Sequence, residues 1–205
     1  LVFTPEDGGT SQFPVRYEAA PGARPVFSGG RIIKGFEPFK NGIWRASVPD
    51  VAAGKWYFEQ LFVNGKRAVR ARSPNKFWFR LLDLEEAALA PSTGKRLKQA
   101  RQTIWMRPDD FQAVAGLTQD ELKDVNLVVY HNWDNTRRFI DSINQEEKSI
   151  VTSGEVMKPW NPWRQESTFI FENFMRALDA SGEWFLARDG YLYYMPLSGE
   201  NMKKA

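Results

Sequence analysis

The feature that most constrains the fold is the stretch Gly182–Pro196, which reads GEWFLARDGYLYYMP. Two short aromatic segments flank Asp189-Gly190, the dipeptide that best suits the two-residue type I′ turn of a β-hairpin. With that turn, Leu186 would lie opposite Tyr193. Both faces of the predicted hairpin then carry large apolar groups, whereas a surface hairpin is polar on one face. The hairpin must therefore pack on both faces or present an aromatic face to a partner.

Further turn, strand and helix signals predict a mainly β fold. Asn64-Gly65 predicts a second hairpin. Short helices are predicted at Pro108 and behind a capping box that begins at Thr118, and a longer helix is predicted over Leu82–Ala90. The predicted strands of this part are Ile43–Val48, Phe58–Val63, Arg67–Arg72, Val125–Trp133, Arg137–Ile143, Lys148–Thr152 and Ser167–Phe171. Many strands with few helices predict a β-sandwich with minor helical insertions.

The first part of the chain, residues 1 to about 36, has a different sequence pattern from the remainder. Short strand-like segments alternate with glycine-rich turns there. The strands predicted in this part are Leu1–Thr4, Val15–Ala19, Pro25–Ser28 and Arg31–Gly35. Their spacing suits small hairpins, and it equally suits the rungs of a parallel β-solenoid. No exact repeat is visible, so both architectures stay open on the sequence pattern alone.

Composition excludes several classes of function. The 28 basic and 25 acidic residues give a net charge of only +3, and the basic residues are dispersed, so no nucleic-acid partner is expected. The absence of cysteine excludes disulfides and thiolate metal sites. No apolar run approaches the ~20 residues that span a bilayer, so no membrane partner is expected. Because nucleotide-binding glycine loops and a hydrolase nucleophile elbow are also missing, we expect no cofactor.

Candidate ligand-binding residues fall first in two aromatic segments. His131 and Trp133 share one face of a predicted strand, which would place an imidazole beside a stacking ring. His131, the only histidine, is favoured as a hydrogen-bonded structural residue, and no metal cluster accompanies it. Trp160 lies in a proline-containing loop. Its indole would either stack on the apolar face of a pyranose or dock onto another part of the protein.

Arg72 and Asn75 form a further candidate pair. One interpretation has them bind sugar hydroxyls or an acidic sugar. The alternative, which the sequence favours, is that the arginines of this segment belong to a solvated or ion-paired sheet face beside Glu59. The chain contains many acidic residues, but no spacing singles out the carboxylate pair that glycosidic-bond hydrolysis requires. No catalytic residue is therefore assigned.

Several segments together resemble a known protein family. In chain order they are Tyr17–Gly30, Phe58–Asn75, Glu172-Asn173, Leu178–Leu186 and Gly190–Pro196. They resemble the N-terminal part of bacterial right-handed parallel β-helix proteins, with glycoside hydrolase family 141 the most similar and family 120 more distant. The resemblance covers nearly the whole chain. Its motifs are more specific for the architecture than for an activity.

The resemblance implies a division of the chain into three parts. Residues 1–40 would be the initial rungs of the β-helix, and residues 41–197 an inserted β-sandwich-like domain with short helices. Residues 198–205 would return towards the β-helix. Under this interpretation the chain is part of a longer protein at both ends. One face of the Gly182–Pro196 hairpin would then lie against the missing solenoid, so we expect part of its apolar surface to be exposed here.

The resemblance also implies a function. The longer protein would be a secreted or periplasmic glycoside hydrolase that acts on plant or algal polysaccharide, and its partners would be carbohydrate and the remainder of the β-helix. This part would shape the substrate groove through Trp133, His131, Arg72, Asn75 and Trp160. The catalytic carboxylates are expected downstream, so this part alone would be inactive. The alternatives are a non-catalytic carbohydrate-binding or structural module and, less favoured, a polysaccharide lyase.

Overall fold

The structure is a computed structural model that describes residues 2–88 and 99–203. The chain divides into two units, residues 1–32 and 33–205. The described part of the first unit contains one short 3₁₀ turn, Pro5–Asp7, in which the Asp7 carboxylate accepts a hydrogen bond from the Thr4 backbone N–H at 2.7 Å. Most of its large apolar side chains are exposed, namely Val2, Phe3, Phe13, Val15, Tyr17, Val26, Phe27 and Ile32.

The strands predicted near the N-terminus are wrong. Residues 2–36 form no strand, although Leu1–Thr4, Val15–Ala19, Pro25–Ser28 and Arg31–Gly35 were predicted as such. A strand needs a neighbouring strand to take up its backbone hydrogen bonds, and these described residues offer none to one another. The initial β-helix rungs predicted over residues 1–40 are consequently not seen in this structure.

The second unit is mainly β, with three helices of one turn each in its described residues. The helices are α1 (Pro49–Ala52), α2 (Pro108–Phe111) and α3 (Gln119–Leu122), and a 3₁₀ turn spans Met175–Ala177. The strands are β1 (Glu37–Pro38), β2 (Trp44–Ser47), β3 (Phe62–Val63), β4 (Lys66–Arg67), β5 (Val69–Arg70), β6 (Arg72–Ser73), β7 (Phe79–Arg80), β8 (Asp83–Ala88), β9 (Gln99–Trp105), β10 (Asn126–Tyr130), β11 (Asn135–Asn144), β12 (Ser149–Glu155), β13 (Thr168–Glu172), β14 (Glu183–Leu186) and β15 (Tyr191–Tyr194).

The strands form two main sheets that are almost entirely antiparallel. One has the order β1-β2-β15-β14-β5, in which only the β14–β5 pair is parallel. The other has the order β6-β13-β10-β11-β12-β9-β8, with β7 also paired to β13. The larger hydrophobic cluster contains side chains from both sheets, including Leu127 and Phe169 of the second sheet and Phe185 of the first. This arrangement is sandwich-like, as predicted for the inserted domain.

The β14–β15 hairpin is buried on both faces, within this chain. Phe185 and Tyr193 belong to the larger hydrophobic cluster, whereas Trp184 and Leu186 on the opposite face belong to a second cluster. All the residues of β14 are buried. The expectation that part of this apolar surface is left exposed is therefore wrong, because the described chain itself supplies a core on each side.

The register of that hairpin also differs from the prediction by one residue. Phe185 pairs with Tyr193 and Leu186 with Leu192. The loop has three residues, and Gly190 closes it with φ +90°. A three-residue loop with glycine in the left-handed region is a common alternative to the type I′ turn. A Cβ at Gly190 would lie 2.8 Å from the Ala52 Cβ of α1, so packing as well as φ requires glycine here.

Other sequence predictions met different outcomes. The Asn64-Gly65 hairpin is confirmed: both residues have positive φ and join β3 to β4, as a type I′ turn requires. The helices at Pro108 and Thr118 are also confirmed. The helix over Leu82–Ala90 is wrong, because Asp83–Ala88 pairs antiparallel with β9. Its good helix formers are overridden by sheet pairing, and residues 89 and 90 lie outside the described residues.

Two buried polar side chains connect the sheets. The Asn173 side chain accepts a hydrogen bond from the Leu186 N–H at 3.0 Å and donates to the Leu186 carbonyl at 3.0 Å and to the Asp124 carbonyl at 2.9 Å. Arg70 Nη1 donates to Asn126 Oδ1 at 3.0 Å, and its Nη2 donates to the hydroxyl of Tyr57 at 2.9 Å. Burial lowers the pKa of Arg70 from its ordinary value. Both residues hold the second unit together.

Candidate functional site

The structure places Trp133 and Trp160 against each other. Trp133 lies in the loop that joins β10 to β11, and Trp160 lies in the loop between β12 and β13. The two rings are stacked, with centroids 6.1 Å apart and planes inclined by 9°. Trp133 remains 69% exposed and Trp160 58% exposed. We call this pair the tryptophan platform.

A polar cluster lies beside the tryptophan platform and centres on Asp134. Its Oδ2 accepts from Lys158 Nζ at 3.0 Å and its Oδ1 from Asn161 Nδ2 at 2.8 Å. His131 Nδ1 lies 2.8 Å from the same Oδ1, although at an angle outside that of a hydrogen bond. The other ring nitrogen of His131 lies 2.9 Å from the hydroxyl of Thr136. The side chains that flank the platform are thus held in fixed positions.

Hydrogen-bonding capacity is left over in this cluster. Asn161 is 1% exposed, yet its Oδ1 has no hydrogen-bond partner among the described residues. Lys158 is half-exposed, and its Nζ lies 5.0 Å from the centroid of the Trp160 ring. An exposed double ring beside a fixed carboxylate and a fixed ammonium can stack on an apolar ligand face and bond to polar groups at its rim.

Arg72 and Asn75 lie elsewhere, around a different loop. Arg72 donates from Nε to the Pro74 carbonyl at 2.9 Å and from Nη2 to the Phe77 carbonyl at 2.8 Å. Asn75 donates to Asp179 Oδ1 at 2.6 Å. Both side chains thus hold the backbone between β6 and β7. They also line a pocket of about 280 Å³ with Asp179.

The five predicted residues consequently form two groups rather than one. Arg72 pairs with Glu172 in the β6–β13 ladder, and Glu172 pairs with Asn126 at the first residue of β10. Trp133 comes after Tyr130, the last residue of β10. Four residues of strand separate Asn126 from Tyr130, which is about 13 Å at 3.3 Å per residue. The two groups therefore lie towards opposite ends of the same strand.

A second pocket, also of about 280 Å³, was not predicted as a site. It is lined by Glu59, Arg67, Ala68, Val69, Arg70, Arg72, Arg137, Glu172 and Trp184. Arg137 bridges Glu59 and Glu172: its Nη1 donates to Glu59 and its Nη2 to Glu172 Oε2 at 3.0 Å. The predicted ion-paired sheet face beside Glu59 is part of this arrangement, but the partner of Glu59 is Arg137, 78 residues further along the chain.

One buried carboxyl is hydrogen-bonded to the backbone of Asp179, which lines the Arg72–Asn75 pocket. Glu183 is 4% exposed and accepts from the N–H groups of Asp179 and Ala180 at 3.2 and 3.1 Å. Burial, with a smaller contribution from the negative charge of Asp179, raises the pKa of Glu183 to about 7. Its backbone donors indicate a structural role in the turn before β14.

No group of three His, Asp or Glu side chains able to hold a metal ion occurs in residues 2–88 and 99–203.

The fold and these sites define a β-sandwich-like module with exposed aromatic and arginine-lined surfaces. The family model that describes the GH141 insertion domain matches residues 41–197. The chain therefore belongs to the GH141 insertion domain family.

No helix among the described residues combines the length and the apolar character needed to cross a membrane.

The comparison with solved structures identifies a related fold. A structure named "Glycoside hydrolase" superposes with a TM-score of 0.61 and 24% sequence identity. The match covers 87% of this chain and 30% of that one, so this chain spans less than a third of the length of the larger protein. No curated protein matches the chain significantly.

Proposed function

We propose that this chain is the inserted, substrate-contacting domain of a glycoside hydrolase, and that its tryptophan platform binds carbohydrate. The observation that carries the proposal is the parallel, exposed stack of Trp133 on Trp160 beside the polar cluster around Asp134. Membership of the GH141 insertion domain family and the fold shared with a protein named glycoside hydrolase support it.

The chemistry of the platform fits a sugar. A pyranose has an apolar face of C–H groups that stacks on an indole, and hydroxyl groups at its edge that need hydrogen-bond partners. Asp134 and Lys158 supply an acceptor and a donor close to the Trp160 ring. The side chain of His131 is 5% exposed, so His131 helps to position Asp134 and does not contact the sugar. The proposal extends to Arg72 and Asn75, whose pocket lies towards the other end of β10.

The architecture of the longer protein is also a proposal. In it, residues 1–40 form the first rungs of a right-handed parallel β-helix, residues 41–197 the insertion, and residues 198–205 the return to the helix. The exposed apolar side chains of residues 2–32 support this, since docking on a solenoid would bury them. The catalytic carboxylates would lie downstream, and the protein would be secreted or periplasmic and act on plant or algal polysaccharide.

The test combines binding and turnover on fucosylated and xylan-type glycans. The full-length protein is expected to turn a glycan over, and the isolated chain only to bind it. Trp133→Ala and Trp160→Ala should each weaken glycan binding about tenfold, which corresponds to about 1.4 kcal/mol of lost stacking. Isothermal titration calorimetry on both proteins measures the loss.

The matched control is Trp78→Ala, because Trp78 is also exposed, at 53%, but lies outside the platform. It should leave glycan affinity within about twofold of the unmodified protein. Unchanged affinity in both platform variants would refute the platform as a sugar site. Turnover by the isolated chain would show that the catalytic pair is not downstream. Binding by a full-length protein that turns nothing over would favour the non-catalytic module instead.

A further inference from the structure

The pocket lined by arginines takes its residues from both main sheets, with Arg137 and Glu172 from the larger sheet and Arg70 from the other. Leu127 and Val129 of β10 point into the hydrophobic core. Because successive side chains of a strand alternate between the faces, Val128 and its cross-strand partner Arg137 point away from the core. Glu172 shares this outer face through its pairing with Asn126. Arg137 and Glu172 therefore reach the pocket from the face of the larger sheet that is turned away from the larger hydrophobic cluster.

Two of the four arginines of this pocket are held in place by hydrogen bonds. Arg70, whose side chain is 5% exposed, is fixed by Asn126 and Tyr57 and lies 3.9 Å from Glu172. Arg72 is fixed by the two carbonyls of the loop that follows it. The guanidinium groups of Arg70 and Arg72 are thus in set positions, and an incoming ligand need not order these two side chains.

Positive charge exceeds negative charge in the lining. Its charged residues are four arginines and two glutamates, a surplus of two positive charges. Arg67 is exposed and forms no ion pair or hydrogen bond with any other described residue through its side chain. Glu59 is the more accessible of the two carboxylates, with 48% of its side chain exposed against 14% for Glu172. The outer ion pair, Glu59 with Arg137, is the one that solvent and ligands can reach.

We propose that this pocket binds the negatively charged group of an acidic sugar, in a glycan held by the domain. The inference rests on the proposed function and names the class of glycan. A sugar carboxylate or sulfate ester has the oxygen geometry that guanidinium groups bind bidentately. The anion takes the unused donors of Arg67 and competes with Glu59 for Arg137, while Glu172 keeps its own pairing.

The experiment measures binding of matched charged and neutral sugars by isothermal titration calorimetry. One pair is a galacturonic acid trisaccharide and its methyl ester, and the other is a sulfated galactan tetrasaccharide and its desulfated form. The protein should prefer the charged member of at least one pair by about tenfold. Preference in the first pair identifies a carboxylate, and preference in the second a sulfate ester. Equal affinity within both pairs would overturn the proposal.

Two substitutions should act in opposite directions. Arg67→Gln should weaken binding of the charged sugar about fivefold, because it removes a free guanidinium. Glu59→Gln should strengthen that binding about threefold, because it removes the competing carboxylate. Neither should change affinity for the neutral sugar. Lys66→Gln is the matched control, since it removes the same charge from the neighbouring exposed residue of β4, which does not line this pocket.

Equal effects of Arg67→Gln and Lys66→Gln would overturn the proposal. They would show that the preference for charged sugars follows from the net charge of the protein and not from this pocket. Failure of the proposed function looks different. In that case neither charged nor neutral sugars bind, and Trp133→Ala causes no further loss of affinity. Neutral-sugar binding that depends on Trp133 but shows no preference for charge would leave the tryptophan platform standing and reject the arginine pocket alone.

Discussion

The β14–β15 hairpin and the tryptophan platform are both rich in aromatic residues, and the fold uses them in opposite ways. Trp184 of the hairpin is 1% exposed, whereas Trp133 of the platform is 69% exposed. The hairpin strands are internal to a sheet and have a hydrophobic cluster on each face. Trp133 lies in a loop beyond the end of a strand, where no sheet covers it. An aromatic run therefore indicates a core or a surface only once its place in the sheet is known.

The largest expected effect is a difference in stability between a tryptophan variant of the hairpin and one of the platform. Trp184→Ala should lower the free energy of unfolding by about 3–5 kcal/mol, because it empties a large buried volume next to the stacked ring of Phe58. Trp133→Ala should lower it by about 1 kcal/mol or less, because most of the ring is in solvent and only its stacking on Trp160 is lost. Urea denaturation of both variants measures the difference. Similar losses in the two would remove the distinction between the hairpin and the platform.

The next effect tests whether the hairpin is held by hydrogen bonds as well as by packing. Asn173→Ala should lower the free energy of unfolding by about 2–4 kcal/mol, since it leaves the buried N–H and C=O of Leu186 without partners. The exposed Asn132, in the platform loop, is the control, and Asn132→Ala should stay within about 0.5 kcal/mol. A small effect at Asn173 would mean that apolar packing alone fixes the hairpin.

The smallest effect concerns the carboxyl at the start of the hairpin and depends on pH. The pKa of Glu183 is about 7 in the folded protein against an ordinary 4.5, so the folded state binds this proton more tightly than the unfolded state does. Stability from this group is present below pH 4.5 and is lost as the pH rises to about 7. Glu183→Gln should therefore raise the free energy of unfolding at pH 8 by about 2 kcal/mol and leave it nearly unchanged at pH 4.

Denaturation curves at several pH values, with the exposed Glu85→Gln as control, measure this dependence. The control should not alter the slope of stability against pH between 4.5 and 7. A Glu183→Gln difference that is the same at all pH values would show that folding does not shift the pKa of this carboxyl. It would also show that the backbone donors of Glu183 offset the effect of its burial.

Much of the fold was predictable from local signals that packing did not contradict. Asn64-Gly65 and Thr118 determine their turn and helix start through backbone chemistry alone. Asp189-Gly190 predicted the hairpin but not its loop length, because the same dipeptide suits a loop of two residues or of three. The register follows from which side chains reach each cluster. Leu82–Ala90 was mispredicted for a related reason, since its pairing partner β9 is not visible in the local sequence.

The candidate sites were less predictable, because they depend on residues far apart in the chain. Trp133 and Trp160 were each recognised as unusual, but their stacking follows from two loops that meet beyond β10 and β12. Arg72 was recognised for its charge, whereas two backbone carbonyls decide its position. The Glu59–Arg137 pair spans 78 residues, and no spacing rule relates them. Sequence patterns identified the residue types, and the topology determined which of them meet.

Because the β14–β15 hairpin separates the two hydrophobic clusters and closes both, neither cluster can lose its packing while the other stays intact. Unfolding of either cluster would expose one face of β14 and β15 to solvent. It would also loosen the packing of the aromatic rings on the opposite face. Residues of the second unit are thereby coupled into one cooperative unit. A proteolytic cut within the hairpin is therefore expected to destabilise both clusters together.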